Sequence, residues 1–498
     1  MPLFDKTGIA AAGLACILTL PSAAQQAADP RVEGLRRESA WQDDTPRDDT
    51  LREGTEGDVT GSAAAANQQA DRRNTEPSDA LVEAYGRDYL DQNPLTATAA
   101  APEQAETAAE TAPPHQPEEN PFEPIGIRVH GWTFRPSLES SLGYTDNVNA
   151  TGVGPARRGS ALWRLRPQLE FESGWSRHSL SGSVGLTHEE FRRPGVENRD
   201  GIDASLKGRL DIRRDLTLEG GLTYSRTQQS FSDPNVPATA LKEPNVDSIA
   251  TEASLTRRFG RFFVALLGSI ERSIYESVPA QGGGIVDNSA RDYTAYSEGL
   301  RLGYEISDRT SVFTDVSLNQ TVHDRRIDGN GNLRGSDGYT AAVGAKLAGD
   351  VLTGEGRIGF RVADPDDPSF TRIRGFVAES SVTWQATPLT SVSLRASTDF
   401  EETVLAGTST IRRHEVGIDM EHALRRNLIL TASGGWTRSD YVGSARLINE
   451  FSASAGLEYK LNRQMALRGR YEFVSSQSTI AGESYDTSTV TIGVIVRR

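Results

Sequence analysis

Few residues in this chain have the types and spacings that acid–base or nucleophilic chemistry requires. Its seven histidines are His115, His130, His178, His188, His323, His414 and His422. A hydrolase would place a histidine beside an acid and an activated serine, but the sequence has no GxSxG nucleophile elbow. His178 falls at an expected turn, and His414 shares strand parity with Val416, which is expected to face lipid. These observations predict a protein that is not an enzyme.

Metal and cofactor sites are not predicted. The run from Asp328 to Asn332 begins like a calcium-binding loop, but Leu333 stands where such loops need a glycine. A solvated external loop is the favoured interpretation. The single cysteine, Cys16, and the absence of CxxC and HExxH spacings leave zinc without candidate ligands.

Basic residues at alternate positions of several segments are the most promising candidates for binding. The positions expected to line a lumen and to contact ions or ligands are Arg164, Arg166, Lys207, Arg209, Arg357, Arg361, Arg395, Arg468 and Arg470. Acidic residues such as Glu170 and Asp419 fall on the same faces. A mixture of both signs is typical of any water-filled barrel wall, whereas lining arginines can also bind sulfate, carboxylate or sugar groups. The sequence leaves both interpretations open.

The elements that must position these charges are β-strands. From about Ile127 the residue types alternate with a period of two, so that Trp163, Leu165 and Leu169 share one face while arginines and glutamates occupy the other. One apolar and one charged face is the pattern of a strand between lipid and water. The pattern recurs to the C-terminus in about eighteen segments. It predicts an all-β fold, a transmembrane antiparallel β-barrel of about 18 strands.

The links between these segments alternate in length. Thr145–Arg158 and Ser232–Asp247 are long, whereas Arg213–Asp215 and Gly260–Arg261 are short. Long external loops and tight periplasmic turns produce this rhythm in a membrane barrel. A lumen inside about eighteen strands is too wide for side chains to fill, so water or a plug is expected there. The long loops and the acidic N-terminal segment are the candidate plugs.

Aromatic residues fall near the ends of the predicted strands. Phe259 and Phe262 flank a short link, while Trp163, Trp436 and Tyr485 lie at the opposite ends of their strands. Their amphipathic rings suit the headgroup zones of a bilayer. We therefore expect two aromatic girdles around the barrel.

The chain ahead of the barrel has a different composition. Lys6, the apolar stretch Gly8–Leu20 and the small residues Pro21–Ala24 predict a signal peptide at residues 1–24. Residues 25–125 are predicted to form a disordered acidic periplasmic tail, because residues 25–120 hold 21 Asp and Glu against 8 Arg. The barrel is predicted at residues 126–498. Since the tail carries most of the net charge of −15, nothing supports nucleic-acid binding.

Three short stretches at the start of the predicted barrel resemble a known family. Asn120–Arg128, Phe134–Glu139 and Tyr144–Asn147 are similar to the start of an outer-membrane β-barrel porin family, with Glu123 in place of the usual Asp. The resemblance covers about residues 125 to 498. Some members are linked to exopolysaccharide production, so the resemblance implies a conduit for polysaccharide in a Gram-negative outer membrane.

Two classes of function follow from the sequence and the resemblance. The first is a porin or conduit that takes part in polysaccharide passage or export. The alternative is a structural outer-membrane protein whose periplasmic tail binds a cell-envelope partner. The expected partners are outer-membrane lipid, the barrel-assembly machinery and periplasmic polysaccharide-export components.

Overall fold

The computed structural model describes residues 121–150, 157–193 and 198–498. The strands of its barrel wall are β2 (Trp132–Thr145), β3 (Ser160–Ser173), β4 (Ser179–Phe191), β5 (Arg199–Arg213), β6 (Leu216–Gln228), β7 (Asn245–Phe259), β8 (Phe262–Tyr275), β11 (Tyr293–Ser307), β12 (Thr310–His323), β13 (Ser336–Ala348), β14 (Leu352–Pro365), β15 (Ile373–Thr387), β16 (Thr390–Glu401), β17 (Thr410–Arg425), β18 (Leu428–Val442), β19 (Leu447–Lys460), β20 (Met465–Ser478) and β21 (Tyr485–Arg497). Shorter strands are β1 (Ile127–Val129), β9 (Val278–Pro279) and β10 (Ile285–Val286).

The eighteen wall strands close into one antiparallel barrel. Each pairs with its neighbours along the chain, and β21 closes the ring by pairing with β2 from Ser137↔Arg497 to Thr145↔Thr489. The first residues of β2 extend beyond the end of β21, and β1 covers their edge through Ile127↔Phe134. Closure removes the free sheet edge that would otherwise leave backbone groups unpaired in lipid. The predicted fold and strand number are confirmed.

The two faces of each strand follow the period-two pattern. Leu142 and Ile358 point outward and are 69% and 66% exposed. Inward positions are polar and largely buried, as with Arg301 and Asp315. No helix of the described residues is long and apolar enough to cross a bilayer.

The two ends of the barrel differ as the link lengths predict. Short turns join β5 to β6, β7 to β8 and β11 to β12 at one end, here called the short-turn end. At the opposite, long-loop end, residues 229–244 join β6 to β7, and residues 276–292 join β8 to β11 through the small β9–β10 hairpin. A hydrogen bond from a side chain holds the N-terminal side of the described chain at the short-turn end, where Arg463 Nε donates to Pro121 O at 3.1 Å.

Aromatic rings mark both ends, with one exception. At the short-turn end Phe259 and Phe262 are exposed, and the Trp132 and Trp175 rings meet edge to face at 5.2 Å. Trp163 lies toward the long-loop end, where its Nε1 donates to Ser140 Oγ at 3.0 Å. The girdle position predicted for Tyr485 is wrong: this side chain is buried and lines the lumen, because its parity is opposite to that of the outward-facing Val490.

Candidate functional site

The inner wall of the barrel is a network of ion pairs rather than a row of isolated charges. Arg301 on β11 and Asp315 on β12 are cross-strand partners, joined by hydrogen bonds of 2.7 and 2.8 Å. Both side chains are 6% exposed. Arg301 also contacts Glu355 at 2.9 Å, and Arg357 reaches Asp315 at 3.2 Å. Such charges are stable away from water only because each one is paired.

Inward-facing glycines make room for this network. On β13 the inward position opposite Phe313 is Gly344, where a β-carbon would collide with the Phe313 ring. The guanidinium of Arg301 in turn stacks on Phe313, 3.8 Å from the ring centroid. A missing side chain on one strand therefore lets a phenylalanine lie flat, and the phenylalanine supports the arginine.

Ion pairs with acidic side chains of the wall hold most of the nine predicted lumen residues. The pairs are Arg164 with Glu189, Arg209 with Asp211, Arg357 with Glu379, Arg395 with Asp419, Arg468 with Glu139 and Glu458, and Arg470 with Glu472. Arg166 is attracted electrostatically to the charges of Glu189 and Asp203. Acidic side chains within the wall thus neutralise much of the positive charge of these arginines.

Four of the nine predicted residues line one cavity of the lumen. Lys207, Arg357, Arg361 and Arg395 all line it. Arg361 makes no ion pair within the described residues, and it stacks on the ring of Phe400 at 5.1 Å. The structure therefore brings four of the nine candidates to one space and leaves the other five along the wall.

The balance of charge in this cavity is acidic. The cavity has a volume of about 1180 Å³. Its basic lining residues are Lys207, Arg301, Arg357, Arg361, Arg395 and Arg413, and its acidic ones are Glu219, Asp233, Glu252, Glu355, Glu379, Asp399, Glu401, Glu415, Asp419, Glu450, Glu472 and Glu483. Six basic against twelve acidic residues give a formal surplus of six negative charges. A lumen with this surplus favours cations over anions.

One long loop crosses the mouth of this cavity. In loop 229–244, Asn235 Oδ1 accepts hydrogen bonds from Thr403 Oγ1 at 2.7 Å and from Val404 N at 3.2 Å. The two loops belong to nearly opposite walls: six wall strands separate β7 from β16 in one direction, and eight separate β17 from β6 in the other. Thr403 is only 2% exposed. The long-loop end is therefore bridged across its width.

The crossing loop is a packed unit. Val236 and Ala240 form an apolar cluster with Val278 of the β9–β10 hairpin. The carboxylate of Glu243 accepts from the Phe231 amide at 3.2 Å and contacts Arg199 at 3.5 Å. These contacts hold the loop to its own side of the barrel, so that Asn235 is presented to the far side.

A third loop completes the bridge. Asn330 Nδ2, in the loop between β12 and β13, donates to Val404 O at 3.2 Å. The predicted calcium-like run 328–332 contains Asp328, whose carboxylate accepts from the Asn330 and Asn332 amides and pairs with Arg334 at 2.6 Å. Its carboxylate is therefore used to shape the loop.

Glu402 is the titratable residue of this bridge. It lies between the end of β16 and Thr403, with its Oε2 3.6 Å from His323 Nε2. Burial raises the pKa of Glu402 to about 7, and the positive charges of Arg334 and Arg361 oppose that shift. No local sequence pattern indicates Asn235, Thr403 or Glu402, because their contacts join segments far apart in the chain.

Comparisons with known proteins give one family match and several distant structural similarities. The family described as "Putative beta-barrel porin 2" matches residues 120–498. Among solved structures, the copper transporter OprC is 10% identical with a TM-score of 0.41, over 75% of this chain and 81% of that one. OccK9 (OpdG) of Pseudomonas aeruginosa is 12% identical with a TM-score of 0.37, over 74% and 98%. OpdK of the same organism is 12% identical with a TM-score of 0.36, over 73% and 99%. No curated protein matches the chain.

Proposed function

Since the chain belongs to the family described as Putative beta-barrel porin 2, and is thus an outer-membrane β-barrel, we propose that it is a conduit for polar solutes whose favoured cargo is polysaccharide. The observation that carries the conduit is the lumen: a closed wall of eighteen strands surrounds a polar cavity of about 1180 Å³. Polar inward faces are typical of membrane barrels whose interior holds water or a plug.

The choice of polysaccharide rests on two arguments. The first is the resemblance at the start of the barrel, which implies a link to exopolysaccharide. The second is the chemistry of the lining, where hydroxyl groups such as Ser297, Ser317 and Thr340 alternate with the paired charges. Neutral sugars exchange hydrogen bonds with such a surface, whereas an anionic chain would meet a surplus of carboxylates.

The orientation and partners belong to the same proposal. The short-turn end faces the periplasm, as in other barrels with this rhythm of links. The residues before Pro121 then start on the periplasmic side, where an acidic tail is available to periplasmic polysaccharide-export components. The barrel-assembly machinery inserts the wall, and no catalytic step is assigned to the protein.

A structural role is the second candidate, and the bridged mouth favours it. With Asn235 bound to Thr403 across the long-loop end, loops of the described residues span the external mouth of the resting barrel. A barrel that never opens would serve as an anchor for its tail and for whatever partner the tail binds.

Liposome swelling separates these two functions. Vesicles that contain the full chain are transferred into isotonic solutions of neutral oligosaccharides of increasing length, with empty vesicles as the control. The conduit predicts swelling that slows with the length of the sugar and is faster for neutral than for anionic sugars of equal size. Swelling no faster than that of empty vesicles for every sugar would leave the structural role.

A further inference from the structure

The boundary between β15 and β16 in the barrel wall, here called the seam, is only half paired. The ladder between β15 and β16 consists of seven residue pairs, from Ser380↔Ala396 to Thr387↔Thr390. The neighbouring ladders, β14 with β15 and β16 with β17, have twelve pairs each. Within the described residues 373–401, the halves of β15 and β16 nearer the long-loop end therefore keep their outer partners but do not pair with each other.

At this seam the long-loop ends of β16 and β17 lie on the lumen side of β15. Phe400 and Arg412 have outward parity on their strands, since Leu394 and Val416 face outward. Nevertheless Phe400 Cζ lies 3.4 Å, and Arg412 Nη1 3.6 Å, from the position that a β-carbon on the inward-facing Gly375 would occupy. The outer face of β16–β17 thus packs on the inner face of β15.

The lumen reaches into the seam from one side and lipid meets it from the other. The inward-facing Val377, Glu379, Ser397 and Asp399 of this seam line the lumen cavity. The Ala378 amide donates to the Thr398 hydroxyl at 3.4 Å instead of to a ladder carbonyl. On the outside, Phe376 is 80% exposed and packs edge to face on Phe360 at 5.6 Å.

The loop that bridges the mouth explains why the seam stays apart. Thr403 lies two residues beyond the end of β16, and its hydrogen bond to Asn235 holds it toward the far side of the barrel. That contact draws the tip of the β16–β17 hairpin inward, away from β15. The hydrogen bond across the mouth and the separation of β15 from β16 are therefore parts of one arrangement.

We propose that this seam is a lateral passage between the lumen and the surrounding lipid leaflet for the alkyl chain of a single-chain amphiphile. Unpaired strand edges facing hydrocarbon are costly, and barrels ordinarily remove them by closing. The aromatic side chains of Phe360, Phe376 and Phe400 border the passage, and their apolar rings can pack against an alkyl chain. Phe400 is the ring that packs at this seam, 3.4 Å from the Gly375 β-carbon position, and a slender alkyl chain can take its place where a sugar polymer cannot. This inference does not depend on the cargo of the lumen.

A photoreactive fatty acid tests the passage. The full chain, with Cys16→Ala as background, is placed in phosphatidylcholine vesicles with dodecanoate that carries a diazirine at its chain end. Irradiation is followed by mapping of the adducts by mass spectrometry. The passage predicts adducts on Phe400 and on the inward-facing Ser397, in addition to the adducts that any outward residue collects.

A disulfide across the seam provides the decisive comparison. Ala378→Cys with Thr398→Cys joins the separated halves, because continuing the ladder from Ser380↔Ala396 makes these residues partners. Val382→Cys with Leu394→Cys is the matched control, placed in the paired half of the same seam. Oxidation of the first pair should abolish the adduct on Ser397, reduction should restore it, and the control pair should leave it unchanged.

Two results would overturn the proposal. One is an adduct on Ser397 that survives the oxidised 378–398 bridge. The other is labelling confined to outward residues in the unbridged protein, at the level found around Val343 in the fully paired β12–β13 region. If the bridge does not form, Phe400→Ala replaces it, because removal of the ring should increase the Ser397 adduct, and an unchanged yield would contradict the passage. Ion conductance through the lumen is measured in parallel, so a failed passage and a failed conduit remain distinguishable.

Discussion

Asn235 and Thr403 lie 168 residues apart in the chain, and a hydrogen bond of 2.7 Å joins their side chains across the mouth of the barrel. Thr403 is almost completely buried by this contact. The bond ties two nearly opposite walls of the barrel together. It decides how open the long-loop end is and how far the β16–β17 hairpin leans inward.

Removal of this bond should widen the mouth. Asn235→Ala leaves the Val404 amide and the Thr403 hydroxyl without their acceptor, so the loop loses its hold on the opposite wall. We expect a larger single-channel conductance and more frequent opening in planar bilayers. Asn319→Ala is the matched control, since Asn319 also lines the lumen but, among the described residues, its side chain bonds to Thr340 on the adjacent strand. Equal conductance of the two variants would contradict the bridge.

The buried ion pair of the wall should respond strongly to the loss of one partner. Asp315→Leu leaves the Arg301 guanidinium short of its bidentate acceptor, and such a loss costs roughly 3–5 kcal/mol. The double variant Arg301→Met with Asp315→Leu should recover most of that loss, because both members of the pair are removed together, while Glu355 keeps the attraction of Lys346 and Arg357 keeps its pair with Glu379. Urea unfolding in lipid vesicles measures both. A double variant as unstable as the single one would show that the pair itself, and not the orphaned charge, supplies the stability.

Adjacent residues of β12 test the two faces of the wall. Val316 is outward and 50% exposed, and the next residue, Ser317, faces the lumen cavity. Val316→Arg near the middle of the strand should cost about 2–4 kcal/mol of folding free energy in a bilayer. Ser317→Arg should cost much less, because its charge reaches water and the acidic lining. Refolding into vesicles checks this, and similar costs at both positions would mean that the faces are wrongly assigned.

Closure of the mouth should depend on pH through Glu402. In the bridged state burial raises the pKa of this carboxyl from 4.5 to about 7, whereas in an opened mouth water restores its ordinary value. The bridged state therefore binds the proton more tightly, and its advantage is lost as the pH rises from about 4.5 through 7. Conductance should increase between pH 5 and pH 8.

The charged neighbours of Glu402 set the controls for that measurement. Arg334 and Arg361 keep their charge throughout this range, while His323, 3.6 Å away, is the other titratable neighbour. Glu402→Gln should make conductance independent of pH and keep the mouth bridged. His323→Gln should leave most of the pH dependence in place. A response that persists in Glu402→Gln and disappears in His323→Gln would assign the switch to the histidine.

The period-two pattern predicted the wall well because a strand between lipid and water has one apolar and one polar face. For Leu165 and Arg164, the residue type alone indicates that Leu165 faces lipid and Arg164 faces the lumen. The pattern could not predict what lies on the inner face, however. By parity alone Gly344 is a lumen position open to substitution, but in the structure Phe313 and the Gly356 carbonyl occupy the space that its side chain would need.

The functional parts of the barrel depend on long-range contacts, which local pattern does not record. The alternation of link lengths predicts a long loop at residues 232–247 and makes it a candidate plug. No local sequence feature indicates that Asn235 in this loop contacts Thr403. The half-paired seam is equally invisible, since β15 and β16 each have a normal strand pattern. The predicted obstruction by the acidic tail falls outside the described residues and stays a prediction.

The central claim, that the lumen conducts, is tested most directly by single-channel recording of the full chain in planar bilayers under a potassium chloride gradient. Twelve acidic against six basic residues around the cavity predict stepwise currents whose reversal potential has the sign of a cation-selective pore. Shortening of loop 229–244 should raise the conductance and preserve that sign. A barrel that is correctly folded and yet silent, both intact and with this loop shortened, would contradict the conduit.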